Sequence, residues 1–223
     1  MNNPGKLYLC DTMYPPFLLL AFLQNLLPSI EKWDTWLFLK VNTVWTNGLL
    51  DSIFPWWREA ATWTPLYLFL VVFAVVNFRQ KAVPWILFAV LTIALTDQFS
   101  STLIKNWVAR PRPCNDPFLM SRVRLLLDGC GSGYSFTSSH ATNHFGFAMF
   151  AFISLTPVSK KWRYLFFAWA ASISYAQVYV GVHYPVDVLC GGIAGCLIGW
   201  CTGRLFNKLV PLVPIIPLLT HDQ

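Results

Sequence analysis

Three short clusters in this chain carry residue types suited to holding and attacking a phosphate. The first is Lys105-Asn106-Trp107-Val108-Ala109-Arg110-Pro111-Arg112-Pro113. A guanidinium presents a planar fork of donors that fits phosphate oxygens, and lysine adds a point charge. The alternating prolines hold the backbone extended, which aims Arg110 and Arg112 the same way or nearly so. Basic residues snorkelling to lipid headgroups would have the same composition. The second cluster is Ser135-Phe136-Thr137-Ser138-Ser139-His140, followed by Ala141, Thr142, Asn143 and His144. Small hydroxyl residues cap helix N-termini, where unpaired backbone N–H groups favour an anion. His140 then sits where a phosphate can be cradled, with His144 one turn on along the same face. Ordinary capping accounts for the serines equally well, and a satisfied buried histidine is the plainer account of His144. The third cluster is Gly181-Val182-His183-Tyr184-Pro185-Val186-Asp187. His183 and Asp187 share a face if a helix begins here. A carboxylate holding one imidazole nitrogen leaves the other free to attack or to shuttle a proton. Such a pair is common on helices, so the weight rests on the three clusters falling together.

The elements that must bring them together are apolar. Hydrophobic residues make up 56% of the 223-residue chain and charged residues 12%, about half the charge of an ordinary soluble domain. The abundance of Trp and Phe excludes disorder. Five apolar segments are expected to cross a membrane, at about 64–78 (starting earlier, near Asp51), 83–104, 141–157, 164–182 and 186–206. A span needs about 20 residues, so the third must begin inside the polar motif before it. Tyr14–Ile30 is a sixth span or an interfacial segment. Trp33–Trp45 mixes Asp34, Lys40 and Asn42 with Leu, Phe and Trp, which suits an amphipathic helix lying on the membrane. The expectation is an all-α polytopic transmembrane helix bundle with an interfacial N-terminal helix. It divides into an N-terminal segment (1–50), a membrane domain (51–206) and a tail (207–223) whose prolines oppose a continuing helix.

Loop charge orients the bundle. Arg79, Lys81, Lys160, Lys161, Arg163, Arg204 and Lys208 fall on one face with no acid among them, which the positive-inside rule makes cytoplasmic. The opposite face receives the loop 105–140, in which Lys105, Arg110, Arg112, Arg122 and Arg124 outnumber Asp116 and Asp128 for a net charge of +3. Positive charge outside breaks that rule and calls for a purpose other than topology. All three clusters lie on this second face. In a soluble protein the net charge of +6 would suggest nucleic acid as a partner; here the charges serve topology and an anionic ligand. Asp97 lies about two turns before Lys105 and is expected either to pair with Arg58 or to sit neutral or near water. Cys114 and Cys130 bracket the outer loop, where an oxidising compartment would permit a disulfide. Cys190, Cys196 and Cys201 read as small apolar packing residues. The six cysteines follow no metal-ligand spacing, so no metal site and no cofactor are expected.

Together these motifs resemble the type 2 phosphatidic acid phosphatase superfamily, whose signature is K-x6-R-P, then P-S-G-H, then S-R-x5-H-x3-D. Lys105 with Arg112-Pro113 matches the first element, and Thr137-Ser138-Ser139-His140 matches the second with Thr for Pro and Ser for Gly. Ala176-Gln177 followed by His183 and Asp187 matches the third in spacing, without its Ser-Arg pair. The resemblance spans about 51–206 and implies a metal-free phosphohydrolase. His183 would be the nucleophile, oriented by Asp187, and His140 the general acid. Lys105, Arg112, Ser138 and the Ser139 backbone N–H would hold the phosphoryl oxygens. Gln177 stands where the family has its second Arg; it removes a charge but keeps a donor for phosphate. Arg110, Arg122 or Arg124 would supply the lost charge and, with His144, form further substrate contacts.

The resemblance implies a bacterial inner-membrane enzyme acting on a lipid phosphate at the outer face. Undecaprenyl diphosphate is the first expected substrate, lipid A a close second, and phosphatidic acid or phosphatidylglycerophosphate further alternatives. A membrane transporter or scaffold would also explain apolar segments and interfacial arginines, but would not require His140, His183 and Asp187 at this spacing. The related vanadium-dependent haloperoxidases are soluble, which the apolar segments oppose. Membrane lipid is the expected partner, nucleic acid is not, and the sequence leaves the oligomeric state open.

Overall fold

The computed structural model describes residues 28–157, 161–210 and 212. Most of the Tyr14–Ile30 run, Lys160 and most of the C-terminal tail lie outside these residues. Eight helices follow one another: α1 (28–39), α2 (Gly48–Trp57), α3 (Thr64–Phe78), α4 (Ala82–Asp97), α5 (Lys105–Val108), α6 (Ser139–Ser154), α7 (Leu165–Tyr179) and α8 (Pro185–Leu209). No strand occurs among the described residues.

The expected apolar segments map onto α3, α4 with its extension, α6, α7 and α8. Among the described residues two helical stretches are long and apolar enough to cross a membrane, Ala60–Asn115 and Pro185–Leu209. Outside those two stretches, α6 and α7 have 16 and 15 residues, short of the roughly 20 that a full crossing takes. As its length demanded, α6 begins within the polar motif, at Ser139. The first segment differs from expectation, because it is not continuous from Asp51. The chain leaves α2 at Arg58 and turns through Glu59 before a short 3-10 turn leads into α3. From α4 the helix runs on through widened π turns, Gln98–Ile104, into α5.

At the centre, α8 packs along α6, and α4 and α7 flank that pair. The approach of α8 to α6 is set by glycine. A Cβ on Gly195 would collide with the Thr142 carbonyl, and one on Gly199 with that of Gly146. Backbones that touch this closely need small residues at every turn of the seam, as in membrane helix pairs. Polar side chains join helices across the same interior: Trp85 Nε1 donates to Ser154 Oγ at 2.9 Å, and Thr92 Oγ1 to Thr202 Oγ1 at 2.7 Å. Outward-facing Leu, Ile, Val and Phe side chains cover α3, α4 and α8, the surface a lipid-facing bundle presents.

The two ends differ. Phe78, Trp85, Leu155 and Phe206 pack at one end, beside the basic turn Arg79–Lys81. At the other, Phe38, Leu119, Tyr179 and Tyr184 form a second apolar cluster under the motif loops. Here α1, with the π turn Lys40–Val44 that follows it, docks on the bundle. It buries Asp34, Phe38, Val41 and Asn42 against the bundle and exposes Trp33, Trp36 and Trp45. Asn42 Nδ2 donates to the carbonyls of Tyr179 and Arg124, both at 2.8 Å. Thus the helical part of segment 1–50 shares one bonded network with the helices of 51–206.

Candidate active site

His183 lies in the tight turn between α7 and α8 and is buried. Asp187, fully buried, is the third residue of α8, where a carboxylate is favoured by the helix dipole. Its Oδ2 accepts from the Tyr184 backbone N–H at 2.8 Å and from Ser135 Oγ, and its Oδ1 accepts from Arg110 at 2.7 Å. His183 Nδ1 stands 3.4 Å from Ser135 Oγ and 3.6 Å from Asp187 Oδ2. The second distance is too long for a direct hydrogen bond, a spacing that can tighten when substrate binds. Acceptors on this side hold the ring proton on Nδ1, leaving the Nε2 lone pair for chemistry. Burial pulls the His183 imidazole down to about 4, with the nearby Asp187 carboxylate opposing and Arg112 and Lys105 assisting. At neutral pH the ring is therefore uncharged.

Arg110 and Arg112 both lie within reach of Asp187's charge but do different work. The chain leaves α5 through Ala109, whose left-handed backbone (φ 51°) breaks the helix before the arginines. Arg110 then turns inward, bonded to Asp187 and to Asp34 of α1 at 2.7 Å each and stacked 3.8 Å from the Tyr184 ring centroid. It is a half-buried bridge between two carboxylates, so it does not provide the unpaired charge expected of it at a phosphate. Arg112 instead reaches Gly133 O at 3.4 Å and Ser132 O at 3.3 Å. Lys105 is close enough to Arg112, Asp97 and Asp187 to feel their charges.

Ser138 caps α6, accepting the Ala141 N–H at 3.4 Å, and its own N–H donates to the Asp187 carbonyl at 3.1 Å. Ser139 Oγ meets Ser101 Oγ at 2.9 Å and Ser100 Oγ at 3.1 Å. These contacts seat the α6 N-terminus against the start of α8 and the extension of α4, and its first N–H groups have no intrahelical partners. His140 follows in the first turn, electrostatically coupled to His183. His144 donates from Nδ1 to the His140 carbonyl at 2.7 Å, so its buried Nε2 is an acceptor, without a partner among the described residues. A cavity of about 190 Å³ lies beside this pair, walled by Tyr67, Phe147, Trp169 and Asp97.

Three expectations are corrected. Arg124 pairs with Asp51 at 2.8 Å and donates to the Asn42 carbonyl at 2.9 Å, so it ties helices together. Arg122 borders a surface groove with Glu31, Lys32 and Trp36 instead of the histidines. Asp97 does not pair with Arg58: its Oδ1 accepts from Asn143 at 3.1 Å and Ser101 at 3.2 Å. Arg58 binds Glu59 and Gln177. Reading motifs missed Asp34, Ser135 and Arg58. Ser135 opens the second cluster and could have been tried as a partner for the His–Asp pair. Nothing local marks Asp34.

Cys114 and Cys130 are joined, with Cα atoms 5.7 Å apart. The bond ties the outer loop next to Ser132 and Gly133, the two carbonyls that brace Arg112. Closing a loop of this length contributes about 3 kcal/mol in the chain-entropy model. In denatured, unreduced protein Cys190, Cys196 and Cys201 should alkylate while Cys114 and Cys130 do not, and reduction should free that pair. Reaction of that pair without reductant would rule the bond out.

A buried histidine thus stands beside a buried carboxylate at one end of an apolar helix bundle, near enough to Lys105 and Arg112 to feel their charges. The chain belongs to the PAP2 superfamily, whose model matches residues 85–211. It is 31% identical to a lipid A 4'-phosphatase of Bacteroides thetaiotaomicron over 73% of this chain and 74% of that one. It is 28% identical to an undecaprenyl-diphosphatase of Sulfolobus acidocaldarius over 82% and 80%. A solved transmembrane PAP2-type phosphatidylglycerolphosphate phosphatase from Bacillus subtilis shares the fold, with a TM-score of 0.62 and 21% identity over 89% of this chain and 98% of that one. The protein is a membrane lipid phosphatase of this family, a phosphoric ester hydrolase.

Proposed function

We propose that the protein removes a terminal phosphate from a lipid on the outer face of a bacterial inner membrane, with a lipid A phosphate as its first substrate and undecaprenyl diphosphate as its second. The observation that carries the chemistry is His183, buried and flanked on its Nδ1 side by Ser135 and Asp187. Its Nε2 attacks phosphorus while the bond to the lipid oxygen breaks, and His140 protonates the departing oxygen. Water then attacks the phosphohistidine and gives a proton back to His140, releasing phosphate and restoring His183. Lys105, Arg112, Ser138, the Ser139 N–H and Gln177 hold the phosphoryl oxygens, which carry the charge through such a transfer. The apolar cavity beside His140 takes the leaving group.

Lipid A comes first because the likeness to a lipid A 4'-phosphatase is the stronger of the two quoted, reversing the order that the motifs alone suggested. The reading includes α3, α4 with α5, α6, α7 and α8 as five crossings, the short ones completed by their flanking turns, and the basic ends at the cytoplasm. Residues 51–206 are its catalytic unit. Phosphate release by purified protein, measured on lipid A, undecaprenyl diphosphate, phosphatidic acid and phosphatidylglycerophosphate, tests the assignment. Fastest turnover on lipid A is expected; a clear preference for either glycerophospholipid would defeat it.

A further inference from the structure

Gln177 is fully buried on α7, one of the least accessible polar side chains in the molecule. Its orientation follows from chemistry. Arg58 Nε lies 3.2 Å from one end of the amide, and because arginine only donates, that end is the oxygen. The other end, Nε2, carries two donor hydrogens and has no partner among the described residues. A buried donor without an acceptor is costly unless a ligand supplies one. Arg58 reaches this place because the chain breaks between α2 and α3. Its side chain is 12% exposed and is also bonded to Glu59. Its charge acts on both His140 and Arg112, so the guanidinium, Gln177, His140 and Arg112 occupy one region.

We propose that Arg58 is a phosphate-binding residue, and that the Arg58–Gln177 pair does the work of a single arginine at position 177. Arg58 brings the positive charge from α2. Gln177 fixes that guanidinium through its carbonyl oxygen and turns its own N–H bonds toward the phosphoryl oxygens. The charge that Arg110 and Arg124 spend on carboxylates is supplied from outside the three motif clusters. The ligand is a phosphoryl dianion, whether carried by a lipid or free in solution.

This inference rests on the phosphatase reading of the site, so His183→Ala is assayed beside the Arg58 variants. Arg58→Gln should lower kcat/KM for lipid phosphate by about 100-fold or more and weaken competitive inhibition by inorganic phosphate. Gln177→Arg in that background should recover about tenfold or more, because it returns the charge from the other side. A residue that only packs α2 on α7 would show no such rescue. Wild-type kcat/KM and phosphate inhibition in Arg58→Gln, with His183→Ala inactive, overturn the inference alone. Turnover surviving in His183→Ala overturns the phosphatase reading itself. If Arg58→Gln does not fold, Arg58→Lys decides. Weaker inhibition by phosphate at an unchanged melting temperature supports the role, and unchanged inhibition removes it.

Discussion

His183→Ala is expected to lower kcat for phosphate release by about 10⁴-fold or more, without disturbing the helix bundle. The magnitude follows from the covalent route. Without the imidazole there is no phosphohistidine, and only positioning and charge neutralisation by Lys105, Arg112 and the α6 N-terminus remain. In nucleophilic triads such residual assistance is worth about 10³–10⁴ over water, far below the intact enzyme. The ring is buried but small, and its Nδ1 contacts are at 3.4 and 3.6 Å, so removal strands no strongly bonded partner: Asp187 keeps Arg110, Ser135 and the Tyr184 N–H. Wild-type protein quenched in alkali during turnover should carry phosphate on histidine, and the variant none. The pH profile supplies a second check. Because burial holds His183 near 4, the nucleophile stays uncharged below the range of a free imidazole. The acid limb it contributes to kcat/KM should fall toward pH 4, well under 6.5. The stability sign is opposite in use. Between about pH 4 and 6.5 the unfolded chain binds a proton that the folded site refuses, so stability falls as pH drops through that window. A limb at 6.5 or above would assign the attacking group elsewhere.

How far the sequence reached is clearest from which residues it placed. His183, Asp187, His140 and Ser138 were legible because their spacing is local: a helix N-cap and a carboxylate one turn into a helix each follow from a few adjacent residues. The apolar segments marked the helix cores for the same reason. What stayed hidden depends on long-range contact. Arg58 read as part of a continuous apolar segment, and only the break after Trp57 turns it into the interior. Arg110 looked like a phosphate ligand because extended Pro-flanked backbone aims it beside Arg112, but Asp34, distant in sequence, claims it. The charge excess of the outer loop was thus overcounted as ligand binding: Arg110 and Arg124 are neutralised by Asp34, Asp187 and Asp51. The buried face of α1 is equally nonlocal, since Asp34 enters that ion-pair network beside Phe38 while Trp33 and Trp36 stay exposed. The glycine seam of α8 was visible at intervals of one turn, and hydropathy averaging passes over it.

The second large effect belongs to that network. Arg110→Ala should destabilise the folded protein by about 3–5 kcal/mol, the usual cost of stranding a buried charge, and should also reduce turnover. Asp34 and Asp187 are 1% and 0% exposed, and Arg110 is their shared cation. Asp34 keeps only the Val186 N–H at 2.8 Å, while Asp187 loses the bond to Oδ1 that sets its rotation toward His183. Burial already pushes the Asp34 carboxyl above its ordinary value, against the opposing Val186 and Arg110 bonds. With the guanidinium gone it rises further, and the sign of the pH dependence follows. A folded-state carboxyl raised above its unfolded value binds more protons folded than unfolded, so its contribution to stability falls as pH rises above about 4. The melting temperature of Arg110→Ala in detergent should therefore lie furthest below wild type near neutral pH and recover in mild acid. Adding Asp34→Asn should restore part of the stability, because it removes one of the two stranded charges, but little of the turnover, because Asp187 is still unbraced. Equal recovery of both would show that α1 sets the activity through folding alone. A pH-independent loss in Arg110→Ala would show that its packing on Tyr184, and not its charge, is what the site needs.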